Sequence, residues 1–556
     1  MAHITGKQAF LEILKQEGVG IIFGNPGTTE LPLMDALVRE PSIRYMLALH
    51  ESVAIAMADG FGTASGELAV ANVHIAPGLG NALGMLYNAQ KSGAPLLLTA
   101  GQHDQSFTAT EPVVWADLPP MAKPFVKWSG EVRRPEDLPR LVRRATKTAL
   151  SHPRGPVFLS LPVDVLNAGR DFDLMRPTRI PSGMVADRSA IDQAARLLAS
   201  AERPLIVAGD AVAHSDSLAE LVELAELVGC PVVNEGMAST CSFPFTHPQY
   251  AGSMSRLTPQ IRALLNRHDL LFSVGADLFT LSLPDEVDPM PPGLTVVHLD
   301  HDPWELGKNY SAAVALQGDP KATLPELTEA LRRHTTKEGH RDAAQRRGVV
   351  NAAHERALQE LSERAAKDSL RTPISPLTLV QAIAASVPPD ATIVEEVLSS
   401  VEGIRQFFPC ADSKSFYGMR GGGIGWGLPA AMGVKLALPG RPVVALVGDG
   451  SAMYTIQALW TAARESIPVV FVIFNNACYR ILKQRVLSLK GFSACDDTFI
   501  GMDLDRPSID HVALAHSLGV PGEQVARAAD VGAALRRGFA SAGPYVIDAR
   551  IDPAVR

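Results

Sequence analysis

Short, nearly continuous apolar runs alternate along the chain with longer stretches whose apolar positions fall three or four apart. In the first third the runs are VGIIFG, RYMLAL, ELAVANVH, PLLLTAG and GPVFLSLP, separated by segments such as ESVAIAMADGFGTASG and GLGNALGMLYNAQKSG. Uninterrupted apolar strands divided by helices predict a parallel sheet covered on both faces. A second series carries RPLIVAGDAV, CPVVNEG, DLLFSVGAD and LTVVHLD; a third, from Thr372, carries TIVEEV, the glycine-rich MRGGGIGWG and the long stretch PVVALVGDGSAMYTIQALWTAARESIPVVFVIFNNACY. The expected architecture is α/β with three domains, each a mostly parallel sheet covered by helices, over residues 1–180, 185–335 and 372–556. Arg170 to Met184 reads as a linker, and the charged, weakly apolar residues 336–371 read as an exposed helical connector. The opening MAHITGKQAFLEILKQEG reads as a short amphipathic helix.

Size and charge narrow the classes of function. A chain of 556 residues is too long for one core and long enough for several. A net charge of −8 without any basic run disfavours nucleic acid as a partner. No run of about 18 apolar residues is present to span a membrane, and the N-terminus lacks the apolar core and cleavage site of a signal peptide. The five cysteines form no CxxC pair, which fits a reducing cytoplasm.

The candidate chemistry sits where two apolar runs stop. VVALV ends at Gly448-Asp449-Gly450 and VVFVIF ends at Asn475-Asn476, and in an open parallel sheet ligands sit beyond the carboxyl ends of the strands. Asp449 offers a carboxylate oxygen, Asn476 an amide oxygen and Cys478 a backbone carbonyl, an oxygen set suited to octahedral Mg²⁺ that shares a diphosphate. Glycines at 448 and 450 let backbone N–H groups approach an anion. Taken singly, each motif is also an ordinary turn.

Joined by one helix and one strand over residues 451–474, the GDG and NN pair resembles the thiamine diphosphate-binding motif. With 23-FGNPGTTELP-32, 47-LALHESVAIAMADGFGTASG-66, 72-NVHIAPGLGNALG-84 and 421-GGGIGWGLPAAMG-433, the chain resembles the thiamine diphosphate-dependent decarboxylase and acetolactate synthase family over nearly its full length, and within it the benzoylformate decarboxylases. That resemblance implies a pyrimidine-binding domain, a Rossmann-like middle domain and a diphosphate-binding domain, in that order. It implies that Glu51 hydrogen-bonds the aminopyrimidine so that thiazolium C2 can lose its proton and attack a 2-oxo acid, that Ile424 supports the thiazolium, and that the Gly422 carbonyl accepts from the amino group. By the same resemblance Asn25, Pro26, Gly27, Gly448, Asp449, Gly450, Ser451, Asn476, Cys478 and Tyr479 contact cofactor or metal, and His74 moves protons while Thr28 binds substrate. It also implies a homodimer or homotetramer with the cofactor shared between subunits.

The substrate wall departs from that pattern. Benzoylformate decarboxylases carry a second active-site histidine in the middle domain, and the matching stretch here, GADLFTLSLPDE, aligns Ser282 or a neighbour with it. Ile481 and Arg485, in NNACYRILKQRV, replace a small residue and an aromatic; with Leu398 they are expected to line a bulkier, positively charged pocket. The leading expectation is decarboxylation of a 2-oxo acid, with carboligation to an aldehyde through the same chemistry. Competing expectations are an acetolactate synthase, an acyl-CoA lyase using Arg480, Lys483 and Arg485, and a non-catalytic relative, which would be expected to have lost Glu51 or Asp449. HLDHDPWELGKNY places His298, Asp300, His301 and Asp302 close together, but as a strand end and turn rather than a metal site.

Overall fold

The computed structural model of the protein describes residues 2–555. Three six-stranded sheets form, and every pairing within them is parallel. Their strands are short and buried on both faces, as in Leu96–Gln102 and Val469–Asn475, which explains why they read as unbroken apolar runs.

In the first sheet the spatial order is Arg44–Leu47, Ile21–Gly24, Ala69–Val73, Leu96–Gln102, Val157–Pro162, Ser129–Glu131. The third sheet runs Phe416–Gly418, Thr392–Glu396, Val443–Gly448, Val469–Asn475, Tyr545–Arg550, Gly522–Val525. Counted within its own domain, each has the order second, first, third, fourth, sixth, fifth, so the two are topological copies. The middle sheet, Tyr250–Ser253, Val232–Asn234, Pro204–Ala208, Leu270–Val274, Thr295–Asp300, Val314–Gln317, instead has the third-second-first-fourth-fifth-sixth order of a dinucleotide-binding fold.

Departures from the sequence reading fall at edges, apart from the inner strand Tyr545–Arg550 of the third sheet, which was not anticipated. Residues Ala2–Thr5 are a strand ahead of the helix Gly6–Gln16, and they pair antiparallel with Gly169–Phe172, so the expected linker begins as a strand. Strands Ser129–Glu131, Tyr250–Ser253, Val314–Gln317, Phe416–Gly418 and Gly522–Val525 at the sheet edges were not anticipated; they are three or four residues long, too short for a periodic signal. Helix Lys337–Lys367 is exposed along its length, with only Ala343 and Ala365 buried among its described residues.

The first and third domains meet through helices Glu51–Ser65 and Gly427–Ala437. The first is apolar all round, and its residues from Val53 to Gly60 are buried, as expected of a helix enclosed by protein. Backbones touch at the crossing: a β-carbon on Gly60 would stand 2.3 Å from the Ala430 carbonyl oxygen, and one on Gly433 would stand 2.0 Å from that of Met57. Trp426 Nε1 donates to buried Asp59 at 2.7 Å across the same seam. One continuous core therefore joins these two domains.

Candidate active site

In the first domain the strand order reverses between Ile21–Gly24 and Ala69–Val73, and the chain leaves those strands at Asn25 and His74. Such a switch point opens a crevice at the carboxyl ends. Glu51, at the first position of its helix, is 6% exposed, and each carboxylate oxygen has a neutral amide donor: Asn25 Nδ2 at 3.2 Å and Asn81 Nδ2 at 3.0 Å. Gly78 packs against the carboxylate, where a β-carbon would come within 3.0 Å of Oε1. Among the described residues no cation pairs with Glu51, so lone pairs remain for a ligand.

His74 ends its strand with Nδ1 2.9 Å from Glu30 Oε2 and 3.2 Å from Thr29 Oγ1. Glu30 is buried, and it also accepts from the backbone N–H groups of Gly27 at 2.9 Å and Gly101 at 2.7 Å. The imidazole is thus clamped through Nδ1, leaving Nε2 for other work. Ile75, next in sequence, is held at φ +25°, a strained value for a β-branched residue. Thr28 is exposed at the start of a 3₁₀ turn, and Pro26 and Gly27 form the bend before it.

The third domain has the equivalent switch between Thr392–Glu396 and Val443–Gly448. Asp449 follows directly, is buried, and accepts from Ala477 N–H at 2.6 Å. Burial pushes its carboxyl up to about 6, opposed only by backbone N–H groups, since no basic side chain approaches. Asn475 and Asn476 divide their tasks. Asn475 points into the core, donating to Asp548 at 2.8 Å, whereas Asn476 stays on the rim with its oxygen on Cys478 N–H at 3.0 Å. Between the donors, Ala477 is left-handed at φ +53°. Gly448, Gly450 and Ser451 flank Asp449, and the Tyr479 ring lies against Gly450.

Residues that the sequence reading missed hold the Gly421–Gly425 loop. Glu396 is buried, accepts from Gly425 N–H at 2.6 Å and Gly427 N–H at 2.5 Å, and is pushed up to about 7 by burial. Asn88 binds Gly423 both ways, donating at 2.7 Å and accepting at 3.0 Å. These clamps set Gly422, exposed at φ +84°, and half-buried Ile424. Just before the loop, Arg420 reaches into the switch point of the middle sheet and pairs with Asp210, Glu235 and Asp277. Asp210 is held down to about 2; burial opposes this, while Arg420 lowers it, helped by donors on Ser239 and Thr240. Glu235 is pushed up to about 8 by burial. The crevice where a dinucleotide would lie in this fold is therefore filled by an internal ion cluster. His298, Asp300, His301 and Asp302 form the strand end and turn, with Asp302 N–H donating to Asp300 at 2.8 Å, and their side chains do not converge as a three-ligand cluster.

A cavity of about 570 Å³ lies between the middle and third domains, and Leu398, Ile481 and Arg485 line it together. Ser282 is one contact behind the wall, donating its N–H to the carbonyl of wall residue Arg256 at 2.9 Å. Thr28, Glu51 and His74 are not among its described lining.

Residues 4–116 match the thiamine pyrophosphate enzyme N-terminal TPP binding domain, residues 191–327 its central domain and residues 400–549 its C-terminal TPP binding domain. The chain belongs to the thiamine pyrophosphate enzyme family. It is 33% identical to a benzoylformate decarboxylase of Pseudomonas aeruginosa over 98% of both chains. It is 32% identical to an acetolactate synthase of Mycobacterium bovis over 96% of this chain and 85% of that one. Among solved structures, a thiamine diphosphate-dependent 4-hydroxybenzoylformate decarboxylase of Rhodococcus jostii superposes with a TM-score of 0.88 at 32% identity, covering all of both chains. Benzoylformate decarboxylase from Polynucleobacter necessarius gives 0.86 at 28%, covering 99% of each. The residues of this thiamine pyrophosphate enzyme fit its cofactor: one carboxylate is held only by neutral donors, and the other is buried without a counter-charge.

Proposed function

We propose that the protein is a lyase that decarboxylates a 2-oxo acid with bound thiamine diphosphate, and that Mg²⁺ anchors the diphosphate on Asp449, the Asn476 amide oxygen and the Cys478 carbonyl. The carrying observation is the pair of carboxylates, Glu51 and Asp449, at the switch points of two sheets with the same strand order. When bound, the thiazolium supplies the sink for the electron pair of the broken carbon–carbon bond. Glu51, fixed by Asn25 and Asn81, holds or yields a proton at a pyrimidine nitrogen. His74, with Nδ1 committed to Glu30, moves a proton through Nε2 near the reacting carbon. Asp449 contributes the one full negative charge among the three metal donors, and a dication offsets the cost of its burial. Incubating the protein with thiamine diphosphate, Mg²⁺ and a panel of 2-oxo acids tests the reading; no carbon dioxide from any of them refutes it.

In this reading each site is shared between two subunits of a homodimer or a larger homo-oligomer. Asn81, which holds Glu51, and Asn88, which holds Gly423, are two turns apart on one helix, roughly 10 Å. The cavity beside Ile481 draws its described wall from the middle and third domains, with no residue of the first domain, so Glu51 and His74 of the same chain are not part of it. Co-expressed Glu51→Gln and Asp449→Ala chains, each inactive alone, should then recover about a quarter of the activity, because mixed dimers hold one intact site. No recovery would show that one subunit supplies both residues of a site.

A second reading, carboligation, draws support from the cavity wall, which carries no histidine among its described lining. Without a general acid there, joining to an aldehyde competes with protonation. Ser282→His should shift products toward free aldehyde, and an unchanged ratio would remove this reading.

A further inference from the structure

Helix Arg480–Ser488 carries three cations, and the structure sorts them. Arg480 is buried and spent on backbone carbonyls, Ser399 O at 2.7 Å and Asp552 O at 3.2 Å. Lys483 is paired with Asp503. Arg485, one turn beyond Ile481 on the same face, lines the cavity, and its guanidinium has no hydrogen bond or ion pair among the described residues. Across the cavity Arg256 is also without a carboxylate partner; its Nη1 lies 2.9 Å from Met237 Sδ. Its pKa is lowered first by burial and next by Arg485, so the two guanidinium groups repel each other across the space.

The other charged groups on the wall offset them only in part, through Glu395 acting on Arg256. Glu402 is held by Arg364 in a two-pronged pair at 2.7 and 3.0 Å. Glu395 is half-buried, accepts from Val397 N–H at 2.7 Å, and is raised by burial, opposed in this by Arg405 and Arg256. Arg405 adds a third guanidinium, tied to the Ala238 carbonyl at 2.6 Å and stacked on Phe416. Leu257, Leu398, Met419 and Ile481 supply apolar surface on the same wall.

We propose that Arg256 and Arg485 bind a second anionic group on the substrate, so that the preferred 2-oxo acid carries a distal carboxylate or phosphonate. This deepens the decarboxylase reading and rests on it for the reaction. The alternative, that these arginines hold the reacting carboxylate, is disfavoured by the chemistry. That carboxylate loses its charge as carbon dioxide leaves, so cations on it stabilise the ground state more than the transition state and slow the step. A distal anion keeps its charge throughout. The C1–C2 bond breaks, carbon dioxide departs, a solvent proton is taken up at C2, and the product is an aldehyde bearing the distal anion, with no oxidant or reductant consumed.

The test compares 2-oxopentanedioate with 2-oxopentanoate, which differ in a terminal carboxylate against a methyl group, and adds 3-phosphonopyruvate. Two quantities are read on the holoenzyme: kcat/KM for carbon dioxide release, and affinity by calorimetry. Charge-assisted hydrogen bonds from two arginines predict about a tenfold to hundredfold preference for the dianions in both. Arg485→Phe and Arg256→Met should each shrink that ratio, chiefly through KM, while Arg485→Lys should retain part of it and shows that charge, rather than folding, is being read. Equal affinity for dianionic and monoanionic acids, or a ratio untouched in Arg485→Phe, overturns the proposal. Tight, arginine-dependent binding of a dianion without carbon dioxide release would leave the anion site standing and sink the decarboxylase reading alone.

Discussion

Arg420→Met would leave Asp210, Glu235 and Asp277 gathered around an apolar side chain at the carboxyl ends of the middle sheet. Asp210 and Glu235 are nearly inaccessible, so water cannot replace the guanidinium. Breaking a buried pair by removing one partner costs about 3–5 kcal/mol, because the remaining charge is stranded. Glu235, already raised to about 8, escapes by staying protonated at neutral pH, which points to the lower end of that range. Asp210 cannot escape so readily: it accepts from Ser239 N–H at 2.9 Å and Thr240 N–H at 3.0 Å, bonds that favour its ionised form. For a unit of roughly 150–250 residues, 1 kcal/mol moves the midpoint by about 2–4 °C, so a loss of about 3 kcal/mol should make Arg420→Met melt about 6–12 °C below the parent in a thermal scan. Arg420 also immediately precedes the Gly421–Gly425 loop, so thiamine diphosphate should bind about tenfold more weakly by calorimetry. Adding Glu235→Gln to Arg420→Met should recover part of the loss. A melting shift under about 2 °C with cofactor affinity intact would refute the view that this cluster anchors the loop.

Asp449→Ala should abolish Mg²⁺-dependent retention of thiamine diphosphate, and a variant that keeps the cofactor through gel filtration would count against the metal assignment. Gly433→Ala drives a methyl into the Met57 carbonyl at 2.0 Å; it should destabilise the seam between first and third domains by about 1–3 kcal/mol, seen as faster proteolysis and a lower melting midpoint. His214 is depressed to about 4, first by burial. Below pH 6.5 the unfolded chain takes up a proton that the folded chain refuses until about 4, so stability is present above 6.5 and is lost as pH falls, by about 2 kcal/mol at pH 5 from this group. Denaturant midpoints at pH 7 and 5 should converge in His214→Asn, and an unchanged pH slope would show that the histidine is not responsible.

Much of the molecule was legible in its sequence because the information is local. A strand buried on both faces must be apolar at every position, so nearly all the central strands announced themselves; Tyr545–Arg550, which carries Asp548, did not. The groups that leave those strands, Asn25, His74, Asp449 and Asn476, are fixed by where the apolar run stops. Ile481 and Arg485 could be placed on one helical face by spacing alone. What only tertiary structure decided rests on partners far apart in the chain. Asn88 and Gly423 are 335 positions apart, and Asp59 and Trp426 are 367. Glu30 reads as one more acid in a turn until folding buries it against His74 and Gly101. Arg420 reads as a flanking cation until three carboxylates from another domain converge on it. Arg480, Lys483 and Arg485 are indistinguishable as letters, and only the fold spends two of them and leaves one facing the cavity. Backbone pattern follows from side-chain periodicity, but the partner of a buried polar group depends on which distant segment the packing brings beside it.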